Sequence, residues 1–383
     1  MSIYLDNAAT SFPKPEQVYQ AVLQAMQQVG ASPGRGGYGR ALDASRLVLD
    51  TRDAAARLFN CADSSRIVFT ANATMALNLA TMGTLQPGDH VITSSMEHNS
   101  LLRPLFRLEK QGVELTVVPA DSQGLVDPDQ IRLALRKNTR MIALAHVSNV
   151  TGGIQDIRQA AVIAREAGAL LLLDAAQSAG ALPIDMQAMG IDLLAVPGHK
   201  GLLGPQGTGL LAVAPGVRLQ PLIAGGTGSS SDQDHQPDTF PEGFEAGTHN
   251  LPGIAGLGAG LAFLLETGVA GIGQHEQQLT EQLRQRLEGM AGCRLFGPLQ
   301  PEQRSGLLSL AIDGWDPSIL AFCLDREYGI AVRAGLHCAP RAHRAIGSYP
   351  AGTLRISPGW FNTLADIDTC CDALISITQK GDS

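Results

Sequence analysis

Short apolar runs and stretches of helical spacing alternate along most of the chain. An extended start at Ile3–Leu5 leads into a helix expected over Pro15–Val29. A second helix is expected over Ala41–Phe59, with Leu42, Leu49 and Leu58 among its apolar positions. Beyond it, Ile67-Val68-Phe69 precedes a helical pattern at Thr74–Thr81, His90–Thr93 precedes Leu101–Lys110, and Met141–Val147 precedes Ile157–Ala167. Leu170–Leu173 leads into Ser178–Met189, and Leu193–Val196 into Thr208–Val213. Strands that are apolar throughout and separated by helices predict a mostly parallel sheet covered on both faces.

The pattern changes at Ile223–Pro241, where Gly225, Gly226, Gly228, Ser229, Ser230, Ser231 and Asp232 make a long polar loop. Such loops inside compact domains are usually functional or mobile. A shorter glycine-rich loop is expected at Arg35–Gly39. After residue 250, helices are expected at Leu257–Leu265, Gly273–Glu288, Pro317–Tyr328 and Leu364–Gln379, with a strand at Gly306–Ile312 and no regular alternation. A chain of 383 residues suits two domains. The expected division is a large domain over 15–250 and a smaller α+β domain over 251–383, which the N-terminal segment 1–14 joins.

Charge narrows the choice of partner. A formal net charge of -8 offers no basic surface for nucleic acid, and the one dense cationic stretch, Arg341, His343 and Arg344, is too short to form one. No apolar run approaches the roughly 18 residues that cross a bilayer. Met1–Thr10 lacks the layout of a signal peptide. A cytoplasmic location without membrane association is therefore expected. Cys61, Cys293, Cys323, Cys338, Cys370 and Cys371 show no paired CxxC spacing, so they read as free thiols with no metal site.

Several strand ends carry residues with chemistry. Lys200, in Pro197-Gly198-His199-Lys200-Gly201, follows an apolar strand. It is either a solvated loop lysine or a buried amine whose lowered pKa suits Schiff-base formation. Asp174, at the end of Leu171-Leu172-Leu173, is either a helix cap or a carboxylate facing the crevice where α/β proteins bind ligands. Thr74, after Phe69-Thr70-Ala71-Asn72-Ala73, is either an ordinary N-cap or part of a phosphate site at a helix N-terminus. His98 in Met96-Glu97-His98-Asn99 is a surface residue, or it stacks on an aromatic cofactor and moves protons. Asn149 forms a turn or bonds a phenolic oxygen. Cys338, in Arg333-Ala334-Gly335-Leu336-His337-Cys338-Ala339-Pro340, is an inert thiol or a nucleophile whose thiolate His337 and Arg333 could favour. Arg355 makes a rim ion pair or grips a carboxylate.

Taken in order, these residues resemble the class V aminotransferase group of fold-type I pyridoxal-phosphate (PLP) enzymes, and within it the cysteine desulfurases and selenocysteine lyases. The resemblance runs from Tyr4-Leu5-Asp6-Asn7-Ala8-Ala9-Thr10 to Arg355-Ile356-Ser357-Pro358-Gly359-Trp360-Phe361-Asn362-Thr363. It is carried by Met96-Glu97-His98, His146-Val147-Ser148-Asn149, Asp174-Ala175-Ala176-Gln177, Gly198-His199-Lys200, Phe244–Thr248 and Arg333–Pro340. The last of these resembles the SufS-like form.

The resemblance implies an α/β fold in which Lys200 forms the Schiff base and Asp174 pairs with the pyridine nitrogen. It also implies Gln177 and Asn149 on the phenolic oxygen and His98 stacked on the ring. Ala73, Thr74 and His199 would hold the phosphate, with Thr248 reaching across from the partner of a homodimer. Arg355 would hold the substrate carboxylate, with Asn149, Ala8 and Arg333 near the substrate. Cys338 would take sulfur from L-cysteine as a persulfide, leaving L-alanine, and pass it to a sulfur-acceptor protein. Other activities open to such a chain are selenocysteine lyase and a PLP lyase or aminotransferase acting on another β-substituted amino acid. A non-catalytic scaffold on the same fold is the alternative of a different class. Two departures from the family pattern stand out: Pro197 in place of a serine, and His249 in place of a proline.

Overall fold

The computed structural model describes residues 2–34, 36–228 and 232–381. Arg35 of the expected glycine-rich loop and Ser229, Ser230 and Ser231 of the polar loop lie outside the described residues. The strands in chain order are β1 (Ile3–Tyr4), β2 (Ile67–Thr70), β3 (His90–Ser94), β4 (Glu114–Val118), β5 (Thr139–Ala145), β6 (Leu170–Asp174), β7 (Leu193–Pro197), β8 (Gly209–Val213), β9 (Cys293–Phe296), β10 (Leu308–Ile312), β11 (Ile330–Ala331), β12 (Arg333–Gly335) and β13 (Thr353–Ile356).

Seven strands form the main sheet in the order β2-β8-β7-β6-β5-β3-β4. Strands β4, β3, β5, β6 and β7 pair in parallel. β8 runs antiparallel to both β7 and β2, so β2 points the same way as the parallel set. The mostly parallel, helix-covered sheet expected from the apolar runs is present. β5, β6 and β7 are buried along nearly their whole length because helices cover both faces. The C-terminal ends of β2, β3, β5, β6 and β7 lie on one edge, the usual place for a ligand in an open α/β sheet.

Local departures from the expected elements have local causes. The stretch Ser178–Met189 is mostly turn, with a short helix only at Met186–Met189. Gly180 has φ +88°, and a Cβ there would lie 2.0 Å from the Gly201 carbonyl oxygen, while Pro183 lacks an N–H. In the helix Gly39–Leu58, Leu42 and Leu49 are 56% and 54% exposed; the buried face is Ala41, Ala44, Val48 and Ala55. That helix and Glu16–Gln24 pack against Leu251–Thr267. Ile254, Leu257, Leu261 and Leu264 thus join the core of the main sheet.

A second, antiparallel sheet, in the order β12-β13-β10-β9, backs onto helices Val269–Leu287, Pro317–Tyr328 and Leu364–Gly381. Its core holds Leu283, Leu310, Leu324, Leu354 and Leu374. β1 pairs in parallel with β11, and Leu5 enters this C-terminal core.

The long loop before Leu251 is fastened to the main sheet by a buried ion pair. Arg52 donates through two nitrogens to Glu245 at 2.8 and 2.9 Å and also bonds the Ile67 carbonyl. Glu245 further accepts from the Phe69 N–H at 2.6 Å. Removing one member of such a pair strands the other charge. Glu245→Ala is expected to cost roughly 3–5 kcal/mol, read from urea unfolding of the cofactor-free protein.

Candidate active site

A cavity of about 170 Å³ opens at the C-terminal edge of the main sheet. Ala73, Thr74, His98, Asn149, Asp174, Gln177, Pro197, His199 and Lys200 line it. Each stands at or just after the C-terminal end of β2, β3, β5, β6 or β7, so the sheet itself gathers residues more than a hundred positions apart.

Lys200 and Asp174 form the electrostatic centre. Burial pushes the Lys200 amine down to about 8 against the opposing pull of Asp174, with Arg355 and Arg333 adding to the fall. Burial raises the Asp174 carboxyl, while a bond from the Ala176 N–H and the nearby Lys200 hold it back. The lysine is set by two close backbone approaches. A Cβ at Gly198 would lie 2.1 Å from Thr208 Oγ1, and one at Gly201 would lie 2.2 Å from the Ala179 carbonyl oxygen.

At the opposite end of the cavity, Asn72 rather than Thr74 caps the helix Ala73–Met82 through a 2.9 Å bond from the Met75 N–H. The first-turn N–H groups at Ala73 and Thr74 are left for another acceptor. His199 has an unpartnered Nδ1 and is driven down to about 4 by burial, then by Lys200 and Lys14. His98 caps the helix Asn99–Glu109, its Nδ1 accepting from the Ser100 N–H at 3.0 Å. Burial and nearby cations lower His98 to about 4, so the ring is neutral and its proton sits on Nε2.

The two amides are engaged within the protein. Gln177 Nε2 donates to the Ala8 carbonyl at 3.0 Å, and Asn149 Nδ2 donates to the His337 carbonyl at 2.8 Å. Arg355, only 1% exposed, donates to Asp6 Oδ1 at 2.9 Å and to the Asn149 carbonyl at 3.1 Å, leaving Nε without an acceptor. Arg333 lies opposite Arg355 across the β12–β13 pair. Cys338 is exposed on a loop where His337 and Cys338 have φ +47° and +58°. The Cys338 carbonyl accepts from the Asn99 N–H at 2.9 Å, which ties this loop to the one carrying His98.

One expectation changes. His337 is buried, bonded to Thr353 Oγ1 at 3.1 Å, and pushed by burial down to about 2, so it brings no positive charge to Cys338. Thr248, expected to serve the partner's site and not its own, lines a separate cavity with Phe69, Met75 and Ile223. His249 sits 3.6 Å from Glu245, on the buried ion pair described above.

Sequence reading assigned no role to two residues. Asp6 is the counterion of Arg355. Glu97 lies buried beneath the cavity, bonded to Ser94 Oγ at 2.6 Å and to the Ala145 N–H at 2.8 Å, and burial raises it to about 8. Both stand inside quoted motifs, but only the folded contacts distinguish them from their neighbours.

The family model for class-V aminotransferases matches residues 3–370. The chain belongs to the class-V aminotransferase family. A probable cysteine desulfurase of Methanothermobacter thermautotrophicus is 38% identical over 99% of this chain and 95% of its own length. The cysteine desulfurase CsdA of Escherichia coli is 33% identical over 97% of this chain and 93% of its own. Among solved structures, the apo cysteine desulfurase of Thermococcus onnurineus NA1 superposes with a TM-score of 0.93 at 31% identity, covering 99% of this chain and 95% of that one. In a class-V aminotransferase the cavity is a place for PLP, and the residues present fit that group. They provide a buried amine, a buried carboxylate facing it, and a helix N-terminus beside an unpartnered histidine nitrogen.

In the cofactor-free class-V aminotransferase, labelling of Lys200 by an amine-reactive reagent is expected to rise with a midpoint near pH 8. Asp174→Asn removes the charge that holds the ammonium form and moves that midpoint lower. Peptide mass analysis across a pH series checks both outcomes.

Proposed function

We propose that this class-V aminotransferase is a PLP-dependent cysteine desulfurase, converting L-cysteine to L-alanine and leaving the sulfur on Cys338 as a persulfide. The observation that carries the reading is a buried amine at Lys200 facing Asp174, in a cavity whose neighbouring loop presents an exposed thiol. The names of the full-length relatives support the choice of substrate.

Lys200, Asp174 and His98 would hold the cofactor ring, Asn149 and Gln177 its phenolic oxygen, and Ala73, Thr74 and His199 its phosphate. PLP supplies, when bound, an electron sink for charge released at the substrate α-carbon. Lys200 Nζ, neutral above about pH 8, accepts the α proton. Arg355, with a free Nε edge, holds the substrate carboxylate while Asp6 fixes the other side of the guanidinium. Cys338 Sγ, as thiolate, attacks the substrate sulfur. A new S–S bond forms as the carbon–sulfur bond breaks, the electron pair of that bond passes to the β-carbon, and the carbon takes up a proton before alanine departs. Exposure of Cys338 leaves the persulfide open to a second thiol, which supports a sulfur-acceptor protein as the next partner.

The proposal includes a homodimer to which Thr248 is contributed across the interface. Its support is the exposed apolar residues on the N-terminal helices, namely Tyr19, Leu23, Met26, Leu42 and Leu49, and the place of Thr248 outside the lining of its own chain's Lys200 cavity. Sedimentation equilibrium giving a monomer would remove this part.

Cys338→Ala is expected to bind PLP normally and to lose most turnover with L-cysteine, with no sulfur added at position 338 by mass analysis. Parallel assays with L-selenocysteine separate the two substrates: retained turnover on selenium alone would mark the thiol as specific to sulfur. Arg355→Lys loses the planar fork. It is expected to raise KM for L-cysteine about 10-fold or more, from the loss of a charged hydrogen bond, with a smaller change in kcat.

A further inference from the structure

Lys14 lies beneath the loop that carries His199 and Lys200, on a segment with no role in the reaction described so far. Its Nζ donates to the His199 carbonyl at 2.7 Å and to Ser11 Oγ at 2.6 Å. The Ser11 hydroxyl in turn donates to the Lys200 carbonyl at 2.9 Å. The His199 carbonyl also accepts from the Ser11 N–H and from Thr10 Oγ1, each at 3.1 Å. Both carbonyls flanking the Lys200 residue are therefore held from below by residues 10–14. Lys14 has no carboxylate within ion-pair distance among the described residues, and burial alone lowers it to about 8. An ammonium placed in that setting costs stability, so its retention calls for a use of its charge. The charge is near enough to His199 to help hold that ring neutral.

We propose that Lys14 is a positioning residue for the cofactor. Its ammonium fixes the His199–Lys200 peptide through direct and serine-relayed hydrogen bonds, and it places positive charge behind the phosphate end of the cavity. This rests on the reading of that cavity as the PLP site. His199 is neutral and Lys200 is engaged at the other end, so Lys14 supplies cationic charge that the cavity lining does not.

The role separates cleanly from a structural one. Lys14→Met keeps the length of the stem and removes the charge. The cofactor-free variant is expected to melt at the wild-type temperature or above it, because a half-buried cation without a counterion is gone. Its dissociation constant for PLP, titrated by visible absorbance, is expected to rise about tenfold or more, the worth of a charge-assisted hydrogen bond. Lys14→Arg restores the charge and is expected to bind PLP within about threefold of wild type. A Lys14→Met variant that binds PLP as tightly as wild type overturns the proposal. So does one that loses stability and affinity together while Lys14→Arg recovers neither. Wild-type protein that fails to bind PLP would remove the cofactor assignment along with this role, whereas unaffected variants beside a binding wild type remove this role alone.

Discussion

Everything at the site depends on keeping one amine out of water. An ammonium buried at the end of β7 is disfavoured, and the fold resolves the conflict with Asp174, one strand away, instead of a surface ion pair. The two groups perturb each other in opposite senses: the carboxylate holds the proton on the lysine while burial drives it off. A balance near neutrality leaves the amine available as nucleophile and as base. That balance needs a rigid sheet, because a small change in separation or solvation would move it. Close-packed backbones at Gly198 and Gly201 supply that rigidity.

The second half of the site is assembled from far along the chain. Arg355 lies on the C-terminal sheet, its counterion Asp6 follows β1, and its other acceptor is the Asn149 carbonyl in the turn after β5. Asn149 also reaches across to the His337 carbonyl, and Asn99 to that of Cys338. The Arg355 guanidinium and the loop bearing Cys338 are thus tied into the same set of cross-links. The loop bearing Cys338 remains exposed at its tip while its backbone is fixed at both sides.

Much of this was legible beforehand, for physical reasons. Fully apolar runs such as Leu193–Val196 have no other stable home than a covered sheet, and strongly bounded helices such as Ile157–Ala167 and Pro317–Tyr328 match their spans residue for residue. Motifs that follow such strands necessarily share an edge, so Lys200, Asp174, Asn149, His98 and Thr74 were gathered by topology alone. Edge strand β4 escaped notice because Glu114 and Thr116 interrupt its apolar run, as a half-exposed edge permits. Leu42 and Leu49 misled because apolar spacing does not say which of two faces a helix buries. The neutrality of His337 and the pairing of Asp6 with Arg355 depend on burial and on contacts between distant segments, which no local pattern encodes.

The link between Arg355 and Asp6 spans nearly the entire polypeptide, 349 positions apart. On the proposed reading, the carboxylate grip therefore exists only where the two ends of the chain meet, whereas Lys200 and Asp174 stand together on adjacent strands of one sheet.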